Sequence, residues 1–267
     1  MLQEIEFNPI QPEWYKALSH YRQVNFPFPT NQHIAYMYEF EISSSSLAYI
    51  PGIPDACIDF IFCADGKKES NIVVASPPNR VLMKFHKNVR YTGIRLLPQQ
   101  RIFNFQIPLK QLFQNITMPL FDVTNFPYFL YEQLIMIPQL EEKANFLNNC
   151  LHKHPYISDS KSEIVNACIQ KITNYQGILK IKELENYTGF SERYLRNIFN
   201  ENLGLAPKQF IQLYRFQITV QKMYQYNTSQ LKKLINNELF YDESHLYKNF
   251  RKYVNMTPKE YAIILKA

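Results

Sequence analysis

Near the C-terminus of this 267-residue chain, a set of positions recurs in order at a nearly fixed interval. Leu195, Phe199, Gly204, Pro207 and Phe210 return 51 positions later as Leu246, Phe250, Asn255, Pro258 and Tyr261. Upstream, Ile181, Leu184 and Phe190 return after 50 as Leu231, Leu234 and Phe240, so the second copy carries one extra residue in its turn. Apolar, turn and proline positions matched in order are hard to obtain by chance, and such a repeat constrains the fold before any single residue does. The chain builds one supersecondary unit twice.

Gly189 to Phe199 reads as the turn and second helix of a helix-turn-helix. The Ser191 hydroxyl suits an N-cap, where it accepts an orphan N–H of the first turn. Leu195, Ile198, Phe199 and Leu203 fall at helical spacing and form one apolar stripe. Arg193, Arg196, Asn197 and Asn200 share the opposite face. Arginine and asparagine pair bidentately with guanine and adenine edges in a major groove. An ordinary amphipathic helix with a solvated face has the same pattern, and the repeat is what favours a reading helix. In the second unit Leu246 and Phe250 form the stripe, and Ser244, Tyr247, Lys248 and Arg251 face away from it. Between the units, 207 to about 226 contains no internal proline or glycine, with Pro207 suited to a first helical turn. About 20 residues at about 1.5 Å give about 30 Å. One turn of B-DNA is about 34 Å, so such a helix sets two readers in successive grooves.

Charge follows the same division. Residues 1–157 carry 13 Lys+Arg and 13 Asp+Glu, net 0, whereas 158–267 carry 16 and 10, which is the whole +6. The repeat-bearing part therefore has the electrostatic footprint of one that meets phosphate. Of the 16 prolines, 14 precede residue 158. These contrasts predict two domains, 1–157 and 158–267, with 152–162 as the linker.

The N-terminal part offers short strand-like runs at 33–40, 57–62, 71–75, 81–85 and 89–96, punctuated by Pro51, Gly52, Pro54, Asp65-Gly66 and Pro77-Pro78. A mainly antiparallel sheet is expected, followed by helices around 98–105, 109–114, 125–135 and 139–151. The expected class is α+β, with the sheet and its helices first and an all-α tandem helix-turn-helix domain after it. In that domain a bracing helix runs from Ser162 to Tyr175, the units span about 178–204 and 229–254, and supporting helices lie at 181–187 and 230–238.

Little in 1–157 suggests chemistry. His33 and His86 lack metal-ligand spacing, and Cys150-Leu151-His152-Lys153-His154 falls in the linker, so no metal or cofactor is expected. Cys57 and Cys63 would share a face of one strand, where buried, inert thiols are the expectation. Cys57, Cys63, Cys150 and Cys168 show no CxxC spacing. No apolar run reaches the length of a membrane span. Met1 to Glu6 lacks the basic start and apolar core of a signal peptide, so a cytoplasmic protein with no membrane partner is expected.

Residues from about Ser162 to Ala267 resemble the tandem helix-turn-helix domain of AraC/XylS-type bacterial transcription regulators. Gly189-Phe190-Ser191 with Tyr194-Leu195 and Phe199, Ser244-His245-Leu246 with Phe250-Arg251-Lys252-Tyr253, and Met256-Thr257-Pro258 with Glu260-Tyr261 carry the resemblance. The N-terminal part is similar to the N-terminal domain of one branch of that family through 54–62 and Gly93-Ile94-Arg95-Leu96-Leu97-Pro98, which implies a cupin-like effector or interaction domain. Carried over by position, the resemblance puts base contacts on Arg193, Arg196 and Asn197 in the first reader. In the second it puts them on Glu243, Ser244, Tyr247 and Lys248, with phosphate contacts on Arg251 and Lys252. The second unit departs from the family pattern at Ile235, Glu238 and Leu239, which stands where the turn usually has glycine. The first unit has Glu185 where alanine is common.

The resemblance implies a sequence-specific regulator that binds double-stranded DNA and is modulated by its N-terminal domain, with RNA polymerase, a small-molecule effector and a second copy of the chain as candidate partners. A protein-interaction module built on a degenerate repeat is the alternative, and a DNA-targeted enzyme a further one. The enzyme would need a nucleophile or metal cluster in 1–157, and none with suitable spacing is found.

Overall fold

The computed structural model describes residues 9–26, 33–43, 49–100, 102–152, 159–225, 239–240 and 242–266. Strands β1 (Ser19–Asn25), β2 (Ile34–Glu41), β4 (Ile58–Cys63), β5 (Ile72–Ala75), β7 (Arg90–Leu96) and β8 (Thr117–Pro119) make one antiparallel sheet in the order β1-β2-β7-β4-β5-β8. β3 (Tyr49–Gly52) and β6 (Val81–Lys84) pair as a separate antiparallel ribbon.

Both faces of the sheet are covered, which explains why β4 alternates only in part. Ile58, Phe60 and Phe62 pack with Met37, Val73, Ile94 and Leu96 on one face. Ile61 and Cys63 lie on the other, with Tyr36, Tyr38, Phe40 and Trp14. On that face Tyr38 lies over Gly93, where an added Cβ would come within 2.0 Å of the ring. The glycine is required for this approach. Beside it Arg95, 1% exposed, holds Asp55 at 2.8 Å and Asp59 at 2.9 Å and lies over the rings of Trp14 and Tyr36. Burial pushes the Asp59 carboxyl above its ordinary value although Arg95 opposes it.

The sheet's first face is closed by α2 (Leu109–Asn115), α3 (Leu120–Val123), α4 (Tyr128–Met136) and α5 (Leu140–Leu151), while α1 (Trp14–Ala17) packs on the second. The helix expected at 98–105 is not formed. The Gln100 side chain accepts the amides of Ile102 and Phe103 and so holds an irregular turn, and Phe105 bridges to Thr124 instead. Cys63 lies in β4, but Cys57 precedes it, held by the turn in which Asp55 accepts its amide. Cys57, Cys63, Cys150 and Cys168 are free thiols.

The described elements of the C-terminal part are all helices: α6 (Ser160–Asn174), α7 (Ile181–Thr188), α8 (Glu192–Leu203), α9 (Pro207–Gln225), α10 (Glu243–Val254) and α11 (Pro258–Ile264). α6 starts earlier than expected because Asp159 and Ser162 form a capping box. The supporting helix expected at 230–238, with Ile235 and Glu238, lies outside the described residues, as does 153–158 of the expected linker. Leu239 and Phe240 are described, and both side chains are buried in the helical core.

That core includes Ile53 and Ala56 from the turn before β4. A polar seam runs beside them. Gln217 of α9 accepts the Ile10 amide at 3.0 Å and donates to the Pro54 carbonyl at 2.6 Å. Gln11 in turn bonds Ile53 and Asp55. α2 packs on the end of α8, where a Cβ on Gly204 would meet Phe113 at 2.9 Å and Leu109 at 3.1 Å.

Candidate nucleic-acid interface

α7 ends at Gly189, whose φ of +75° is left-handed, a conformation that favours glycine at this turn. Thr188 then accepts the Phe190 amide. Ser191 caps α8 by accepting from the Tyr194 amide at 3.4 Å. Glu185 supplies a second cap, accepting the Glu192 amide at 2.8 Å, and this contact together with Lys182 holds its carboxyl below the ordinary value. The departure from alanine thus has a structural use that position alone did not reveal. A carboxylate on the preceding helix, seven residues before the capped amide, was the available signal.

Within α8, Leu195, Ile198, Phe199 and Leu203 are buried. Arg193, Arg196 and Asn197 are exposed together on the other side, and Asn200 is half-buried. Arg196 reaches back to Glu192 at 3.1 Å, one helical turn away and in solvent. Such a pair is worth about 0.3–0.5 kcal/mol and does not prevent the guanidinium from taking a better partner.

The second copy is built from different residues. Asp242 caps α10 by accepting the His245 amide at 2.7 Å. Leu246 and Phe250 are buried, as are Asn249, Tyr253 and Val254. Glu243, Ser244 and Lys248 are exposed, and Tyr247 is half-buried beside them. The repeat extends to the ends of the two helices, since Gly204 and Asn255 are both left-handed, at φ +67° and +57°. Pro207 and Pro258 then open α9 and α11, on which Phe210 and Tyr261 are fully buried.

The two residues assigned to phosphate differ in setting. Arg251 is exposed, with Asn255 and Glu260 as neighbours. The Lys252 ammonium is turned to Gln212 of α9 at 3.1 Å and lies 4.7 Å from the Tyr253 ring, and burial pulls its pKa down. α9 has 19 residues, about 28 Å, and carries Phe216 between the ring of Tyr253 and that of Phe250. Among the described residues, no group of three or more His, Cys, Asp or Glu is placed to hold a metal ion, and no helix is long and apolar enough to cross a membrane.

These paired capped helices, each with a buried stripe and a polar outer face, define a helix-turn-helix protein. Residues 184–262 match the family model described as a helix-turn-helix domain. The lactose operon transcription activator of Staphylococcus xylosus is 29% identical over 115 residues, which is 41% of this chain and 40% of that relative. The matched part thus spans less than half of either protein. Two solved structures of ToxT from Vibrio cholerae, each 12% identical, give TM-scores of 0.44 and 0.43 and cover 93% and 86% of this chain and 100% and 97% of theirs. The matched segment 184–262 takes in both α8 and α10, so the C-terminal part is similar to a helix-turn-helix domain.

Proposed function

We propose that this protein is a sequence-specific transcription regulator that sets α8 and α10 in successive major grooves of one duplex, under the control of its N-terminal part. What carries this reading is the pair of capped helices with polar outer faces that both pack on α9, α8 through Phe199 on Phe210 and α10 through Phe250 and Tyr253 on Phe216. Arg193, Arg196 and Asn197 read bases in the first groove. Glu243, Ser244, Tyr247 and Lys248 read the second. Arg251 contacts phosphate, and Lys252 joins it by leaving Gln212. The excess positive charge of 158–267 draws the domain to DNA before any base is read. Residues 1–157 act by binding an effector or a second copy of the chain, with no catalytic step, and RNA polymerase is the partner through which transcription changes. The DNA-bound protein is cytoplasmic.

Selection of bound sequences from a random duplex pool, with the full-length protein and with Arg196→Ala, tests this. The expected result is a motif of two blocks about one helical turn apart, with information lost from one block in the variant. A single block would remove α10 as a reader. Retention of unselected sequences, with binding that ignores ionic strength, would favour the protein-interaction module.

A further inference from the structure

The last carbonyls of a helix have no partner within it and must find one elsewhere. At the end of α8 the Gly204 amide supplies one, bonding the Asn200 carbonyl at 3.1 Å. At the end of α10 a donor comes from the other half of the chain. The Arg80 amide bonds the Tyr253 carbonyl at 2.6 Å. The Arg80 side chain turns away and forms a fork with Glu13, Nε to Oε1 at 2.9 Å and Nη2 to Oε2 at 2.6 Å. Its side chain is 20% exposed and that of Glu13 is 7% exposed. A two-point, charge-assisted pair of this kind fixes direction as well as distance.

We infer that Arg80 is a positioning residue for the second reading helix, with the Glu13 pair holding its amide against the end of α10. Three observations converge. Pro77 and Pro78 precede Arg80 and line a cavity of about 150 Å³ with Lys252, Tyr253 and Leu213, so the segment that delivers the amide is stiffened where it meets the second unit. The Tyr253 ring meets Phe216 in a tilted contact at 4.9 Å, and Phe216 in turn meets Phe250 at 5.4 Å, so a shift at Tyr253 passes into the buried stripe of α10. Tyr261 of α11 is fully buried and lies close enough to Glu13 and Arg80 for both to influence its phenol, which keeps the pair inside the second unit's surroundings. The first reader is held differently, by apolar packing of α2 on Gly204. Among the described residues, the N-terminal part therefore meets the two readers through separate contacts, with Arg80 bonded to the end of the second.

This inference rests on the two-reader proposal, so its test measures the readers separately. Full-length protein is titrated against a duplex with both selected blocks and against duplexes in which one block is scrambled. Arg80→Ala and Glu13→Ala should each weaken binding to the full site by about 10-fold and leave the duplex that keeps only the first block within about twofold of wild type. The double variant should lose no more than either single one, as expected for two residues acting as one element. Arg80→Lys, which keeps the charge but not the fork, should recover part of the loss. If Arg80→Ala fails to fold, Glu13→Gln, of nearly equal volume, should show a smaller loss with the same block selectivity. Equal losses on both kinds of duplex, or no loss on the full site, would overturn the inference. Wild-type protein with no preference for the second block would instead overturn the two-reader proposal itself.

Discussion

The two copies of the repeat share one pattern and complete it with different chemistry. α8 starts under two caps, Ser191 and Glu185, and ends in a glycine against which α2 packs. α10 starts under the Asp242 carboxylate and ends at Asn255, with its Tyr253 carbonyl answered by an amide from a distant loop. Their buried stripes are nearly superimposable as a list, Leu195 and Phe199 against Leu246 and Phe250. The repeat therefore dictates the cores, while the ends of the helices are free to be solved locally or by the other half of the chain.

The largest effects should confirm the equivalence of the cores. Phe199→Ala and Phe250→Ala remove fully buried rings and should each cost about 3–5 kcal/mol in denaturant unfolding. A gap between them of more than about 2 kcal/mol would mean that the two stripes are not equivalent. Next come the outer faces. Arg193→Ala and Arg196→Ala should each cost about 1–3 kcal/mol of discrimination at a guanine in one block and leave the other block unchanged, as read by competition binding with single-base variants.

The helix ends should separate the units. Gly204→Ala puts a Cβ at a left-handed residue and against α2, and should cost about 2–3 kcal/mol, whereas Gly189→Ala, with open space at its Cβ, should cost only the backbone term of about 1–2 kcal/mol. Asn255→Gly should be neutral or slightly stabilising. Equal melting temperatures for the two glycine variants would mean that α2 does not press on α8.

The smallest effects concern charge. Arg251→Ala should lower the salt dependence of binding by about 0.9 in the log–log slope and leave the recovered motif intact. Glu185 and Glu260 accept backbone amides and have depressed carboxyl pKa values, so each contributes stability above the unfolded value of about 4.3 that is lost as pH falls through the folded one. Glu185→Gln and Glu260→Gln should flatten that acid limb in thermal melts, one for each unit, and an unchanged limb would contradict the capping.

Much of the helical part could be read before the structure was known. Ser191, the uninterrupted run after Pro207 and the stripe of Leu246 and Phe250 are local signals, and the structure has α9 at Pro207–Gln225 and α10 at Glu243–Val254. The β-branched run at 71–75 and the stretch before Leu96 were equally plain. Ser19–Asn25 was not, because β1 sits at the sheet's edge, pairs with β2 alone and mixes polar residues along its length. The supposed helix after Pro98 failed because one glutamine side chain can outcompete a helical turn for two amides. Of the candidate site, the outward faces of α8 and α10 were legible from periodicity. The Arg80 amide was not, since it depends on bringing residues 13, 80 and 253 together, and a backbone donor leaves no mark in a sequence.

Ile53 and Ala56 sit in the core of the C-terminal helices, on the far side of the expected domain boundary. The two parts of the chain are therefore not interchangeable. A chimaera joined near residue 158 would open a hole where Ile53 packs and strand the Gln217 amide that now bonds Pro54. If the N-terminal part regulates as proposed, a new regulatory input has to arise through substitutions that keep these contacts, and an exchanged half would have to bring residues that refill them.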